Sequence, residues 1–115
     1  MVVDTLDDAH ADQIFRALAD ATRRDILIHA MRGDRSVSDL AGLYPMSFAA
    51  VQKHVAVLER AGLVQKQRRG REQLVQTDVD TIQAANRLLE QFEALWRDRL
   101  ERFGRVLAEP TEGAI

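Results

Sequence analysis

The chain has 115 residues, 46% apolar and 30% charged, with no cysteine and a formal net charge of −2. This size suits one domain (residues 1–115) with one modest core, and the composition excludes wholesale disorder, disulfides and thiolate metal sites. The apolar runs are far short of a membrane span and the acidic N-terminus does not read as a signal peptide, so a cytoplasmic protein without a membrane partner is expected.

Residues 8 to 19, DAHADQIFRALA, place Ala11, Ile14, Phe15 and Leu18 at helical spacing. Asp20 or Thr22 can cap a second helix through RRDILIHAMR, with Ile26, Leu27 and Ala30 facing inward and Gly33 ending it. In SVSDLAGLY, Ser36 followed by Asp39 has the spacing of a capping box, with Asp in place of Glu or Gln. This third helix is short because Tyr44-Pro45 interrupts it. A fourth helix lies in PMSFAAVQKHVAVLERAGLV, capped by Ser47 and ending at Gly62, which suits a left-handed C-cap.

Past Gly62 the period changes. LVQKQ and EQLVQT are two short β-type runs across RRGR, with Gly70 supplying the turn of a small hairpin. Asp78 can cap a last helix. From Val79 to Leu107 there is no Gly or Pro except Gly104, and apolar residues recur every three or four positions, which makes one long amphipathic helix, or two with a break. The tail EPTEGAI reads as frayed.

The charge is unevenly spread. Residues 1–22 carry one Arg against five Asp, and residues 72–115 five Arg against nine acids. Residues 23–71 carry ten Lys and Arg against four acids. A basic middle between acidic ends suits a polyanionic partner. The fourth helix adds detail. On a wheel of about 100° per residue, Val51, Val55 and Leu58 form the buried face. Ala49, Gln52, Lys53, Ala56 and Arg60 lie opposite, with Phe48 at the flank. A face that is small at its front and polar at its middle can enter the DNA major groove, about 12 Å wide, where Gln pairs with adenine edges and Lys with guanine or phosphate. The free amides at the helix start favour a phosphate.

A short helix, a tight turn and a second helix make a helix-turn-helix (about 36–62). The basic hairpin after it (about 63–77) completes a winged-helix arrangement, and a helix over about 79–107 comes last. The expected class is therefore mainly α: a winged helix-turn-helix with a small β-hairpin wing and a long C-terminal dimerisation helix. In order and residue type, ALADATRRDIL, SVSDLA, MSFAAVQKHVAVLERAGLV and RRGRE resemble the ArsR/SmtB-like winged-helix transcriptional repressors, over about residues 10 to 107. Gln52 departs from the Ser usual in the family's Ser-Lys-His-Leu-like stretch, and Val55 stands in place of Leu.

The resemblance implies a homodimeric repressor that occupies an inverted-repeat operator in double-stranded DNA. By resemblance, Ser47, Phe48, Ala49, Gln52, Lys53 and His54 lie in the DNA-reading helix, and Arg68, Arg69 and Arg71 in the wing. Ser36 is counted with the DNA-contacting residues. His54 falls beside the Val51/Val55 stripe and reads chiefly as a packing residue. Dimer contacts are expected from Ile14, Phe15 and Leu18 in the first helix, and from Leu89, Phe92, Trp96, Leu100 and Phe103 in the last.

No metal site and no cofactor is expected. Ser36 and Ser38 stand where the family's metal sensors carry a Cys-x-Cys pair, and the last helix contains no His. His10, His29 and His54 fall in three different helices and read as isolated rather than as a ligand pair. The chain thus resembles the branch that lacks the known metal motifs, with an unknown inducer. It carries no phosphate loop and no nucleophile constellation, so it is not expected to be an enzyme. The alternatives are a winged-helix protein-interaction module and a metal or small-ligand sensor using a non-standard site.

Overall fold

The computed structural model describes residues 6–108, so the tail EPTEGAI lies outside the described residues. Helix α1 (Asp8–Leu18) begins where Asp7 accepts a hydrogen bond from the His10 amide, at 2.7 Å. Helix α2 (Ala21–Arg32) begins after Asp20, whose carboxylate accepts from the Arg23 amide at 3.0 Å. Of the two candidate caps, Asp20 is the one used. Two arginines of α2 turn back onto α1. Arg23 donates to the carbonyls of Ala17 and Arg16, and Arg24 to that of Leu18, which satisfies groups that the end of a helix leaves bare. Helix α2 stops at Gly33 in extended backbone rather than a left-handed cap.

Strand β1 (Arg35–Ser36) leads into helix α3 (Val37–Ala41). The capping box is present: the Asp39 amide donates to Ser36 Oγ at 2.9 Å, and the Ser36 amide to the Asp39 carboxylate at 3.2 Å. Helix α3 ends ahead of Tyr44-Pro45. Helix α4 (Phe48–Arg60) starts at Ser47, whose hydroxyl accepts from the Ala50 amide. It ends in a Schellman motif. Gly62, at φ 79, donates to Glu59 O, and the Leu63 amide donates to Leu58 O.

Strands β2 (Val64–Arg69) and β3 (Glu72–Thr77) form the hairpin, with Gly70 at φ 63 in its two-residue turn. The hairpin is two strands of a three-stranded antiparallel sheet of order β1-β3-β2, because Arg35 and Ser36 pair with Val75 and Leu74. Strand β1 was not legible in the sequence. Its two residues are too few to show an alternation, and their partners lie far along the chain.

The core gathers Ile14, Ile26, Leu40, Val51, Leu58 and Val75 around Ala17 and Val55. Here one expectation fails. Ile14, assigned to the dimer surface, is 0% exposed within its own chain, and Leu18 packs against the core. Of these three α1 residues, Phe15 is the one that is exposed. Helix α5 (Val79–Ala108) is a single helix of 30 residues that continues through Gly104. Its first turns pack on the core through Thr81, Ala84 and Ala85. From Leu89 to Ala108 every residue is exposed.

Candidate nucleic-acid interface

Helix α4 has two unlike faces. Val51, Val55 and Leu58 are fully buried, which fixes the rotation of the helix about its axis. Ser47, Phe48, Ala49, Gln52, Lys53 and Arg60 are exposed, and Ala56 is half-buried. This matches the helical wheel. With Ser47 Oγ committed to the Ala50 amide, the amides of Phe48 and Ala49 remain at the positive end of the helix dipole, without intrahelical carbonyls. Among the described residues, Gln52 and Lys53 make no hydrogen bond or ion pair, so their polar groups are available to a ligand.

His54 points to protein. Its Nδ1 lies 3.4 Å from Arg23 Nη1 and 3.9 Å from the Asp20 carboxylate. Arg23 therefore links the end of α1 to the side of α4. The Arg23 amide holds the Asp20 carboxyl below its usual range, with desolvation opposing and the charges of Arg23 and His54 assisting. Ser36 also differs from expectation. At 2% exposed, with its hydroxyl bonded to the Asp39 amide, it cannot reach a ligand. It sets the start of α3 instead.

The hairpin runs straight on from α4 through Gly62. Arg68, Arg69 and Arg71 are exposed at its tip, and among the described residues none has an ion pair. Register sets Arg68 opposite Gln73 and Arg69 opposite Glu72. Lys66 is different: its Nζ lies 3.5 Å from Glu59, so it ties β2 to α4.

Further interactions went unread in the sequence. The Tyr44 hydroxyl donates to Asp25 at 2.6 Å and fastens the turn before α4 to α2. Burial, together with the bond to Asp25, pushes the Tyr44 phenol well above its usual range. His29 is not isolated, since its Nε2 lies 3.4 Å from Asp25, one helical turn earlier. That i, i+4 spacing was visible in the sequence. His10 Nε2 lies 2.8 Å from Ala61 O, a bond between residues 51 positions apart that no local pattern reveals. Among the described residues, no group of three or more His, Cys, Asp or Glu is placed to hold a metal, and no helix is long and apolar enough to cross a membrane.

This arrangement recurs in known proteins. An ArsR-like transcriptional regulator from Rhodococcus sp. RHA1 superimposes with a TM-score of 0.76 at 35% identity, covering 90% of this chain and 96% of that one. The chain belongs to the ArsR family of transcriptional regulators. The HTH-type transcriptional regulator Rv2034 of Mycobacterium tuberculosis is 32% identical to this ArsR-family chain over 96 residues, covering 84% of this chain and 87% of the relative. A homodimeric winged helix-turn-helix DNA-binding domain from Mycobacterium bovis, described as a possible ArsR-family regulator, matches with a TM-score of 0.61 at 25% identity. That match covers 75% of this chain and 79% of the other. No protein-family profile matches the chain. The ArsR-family fold is the winged helix-turn-helix seen here: α3 and α4 form the helix-turn-helix, and β2–β3 the wing.

Proposed function

We propose that this chain, acting as one winged-helix unit, is a dimeric, sequence-specific DNA-binding regulator that represses by occupying an inverted-repeat operator. The observation that carries the reading is the exposed face of α4. It is small at Ala49, where a groove floor would be met, and polar at Gln52 and Lys53, neither of them engaged by the described protein. Gln52 and Lys53 read base edges, and the amides at Phe48 and Ala49 take a phosphate. Arg68, Arg69 and Arg71 meet flanking phosphates or the minor groove. His54 acts through Arg23 and Asp20 as a positioning residue. No turnover belongs to this reading, and a cytoplasmic location accompanies it.

The dimer rests on α5. Leu89, Phe92, Trp96, Leu100 and Phe103 are each at least half exposed among the described residues, with the Arg99 guanidinium 5.6 Å from the centre of the Trp96 ring. A contiguous exposed apolar stripe of this kind suits an interaction surface, and an isologous pairing buries it twice over. Phe15 joins the seam from α1. Two reading helices related by a two-fold axis then fall about 34 Å apart, one turn of DNA.

The test is fluorescence anisotropy with DNA from upstream of the chain's own gene beside a scrambled duplex, at two salt concentrations. Tight binding to the native duplex alone supports a specific regulator. Equal, weak, strongly salt-dependent binding to both duplexes would reduce the reading to a basic surface.

A further inference from the structure

Between the end of α2, the end of β3 and the first turn of α5 lies an open groove of about 590 Å³, in the size range of small-molecule sites. Its walls are apolar: Ala30 and Met31 from α2, Val79 and Ile82 from α5. Met31 is 51% exposed and Val79 57%, so the chain itself leaves this apolar surface wet.

Three polar side chains stand in the lining: Asp34, Gln76 and Thr77. Asp34 is the one charged residue there, and among the described residues its carboxylate has neither an ion pair nor a hydrogen bond. Thr77 Oγ1 is buried without a hydrogen-bond partner, a costly condition for a hydroxyl. Thr77 lines the groove, so a χ1 rotamer that turns its oxygen toward the opening would give the hydroxyl a partner there. A carboxylate and a hydroxyl oxygen are both acceptors. An ammonium offers three donors and no acceptor, so it satisfies both, whereas an anion is repelled by Asp34.

We propose that this groove binds a small primary amine carried on an apolar body, with the ammonium against Asp34 and Thr77 and the body against Met31, Val79 and Ile82. The site adjoins the junction of wing and long helix, where the Asp78 amide donates to Leu63 O and the Gln65 side chain donates to the Asp78 carboxylate. An occupant there touches both the hairpin and the root of α5. Binding at the groove does not depend on the DNA reading, and it is measured without DNA.

The test uses the full ¹⁵N-labelled chain and three isosteric probes: tryptamine, its neutral alcohol tryptophol, and indoleacetate. Tryptamine is expected to bind saturably, with amide shifts gathered at Met31, Asp34, Thr77, Val79 and Ile82. Tryptophol should bind about fivefold more weakly and indoleacetate more weakly still, the size of effect a partly exposed ion pair gives. Asp34→Asn should bring tryptamine down to the level of tryptophol and leave tryptophol unchanged. Met31→Lys, at an exposed position, should abolish tryptamine binding while the folded spectrum persists. Equal affinity for amine and alcohol, shifts gathered along Leu89–Phe103 instead, or no saturation by any probe would overturn the proposal.

Discussion

His10 Nε2 lies 2.8 Å from the carbonyl oxygen of Ala61, the C-cap residue of α4. A carbonyl only accepts, so Nε2 carries the proton and α1 donates to the far end of the helix whose front is proposed to read DNA. At Gly62, beside this bond, an added Cβ would come within 3.3 Å of both His10 Nε2 and Thr81 Oγ1. Helices α1, α4 and α5 therefore meet at one point.

His10→Ala removes this donor and leaves a part-buried carbonyl short of a partner. The expected cost is about 1–2 kcal/mol, read as a lower urea midpoint with an unchanged slope. A midpoint equal to that of the parent chain would remove the bond from the stability of the fold.

Gly62→Ala places a Cβ in left-handed backbone as well as in that tight space. It should cost about 1–2 kcal/mol or more. Gly33→Ala is the control: that glycine is extended and nothing lies within 4 Å of its added Cβ, so little change is expected there. Equal midpoints for the two variants would contradict the geometry at Gly62.

Gln52→Ala and Lys53→Ala should each narrow the difference in affinity between operator and random DNA, by about 1–3 kcal/mol for each well-paired base edge that loses its side chain. Anisotropy competition measures it. Equal weakening on both DNAs would restrict these side chains to phosphate.

Arg68→Ala with Arg69→Ala should weaken binding to all DNA and flatten the plot of log affinity against log salt by up to about two units, one for each phosphate left without its arginine. Lys66→Ala should change the slope less, because Glu59 already holds that ammonium. An unaltered slope in the double variant would take the wing out of the interface.

Trp96→Glu, in the middle of the exposed α5 stripe, puts a charge where two chains are proposed to meet. Trp96 is 55% exposed in the single chain, so the substitution should spare the fold while sedimentation shows a monomer. A dimer that survives would refute the aromatic seam.

What could be read from the residue string was local. Ser36 with Asp39, Ser47 with Ala50 and the left-handed Gly62 each involve groups within a few positions, so chain order alone brings the partners together. The rotation of α4 was legible for the same reason, since a 3.6-residue period sorts Val51 from Gln52 without reference to any neighbour. Even here one signal passed unread, the Asp25–His29 pair at helical spacing.

The rest depended on which surfaces meet. Ile14 and Phe15 are adjacent apolar residues of one helix, yet Ile14 is sealed in the core and Phe15 faces out, because α2 and α4 cover one side of α1 and not the other. Leu89 and Ala85 share a helical stripe, but the core reaches only Ala85. The β1–β3 pairing, the Lys66–Glu59 tie, the seat of His10 on Ala61 and the groove beside Asp34 join elements far apart in the chain. A periodic pattern states that a face is apolar. It does not state what will cover that face, because the cover is supplied by a distant segment whose position exists only once the chain has folded.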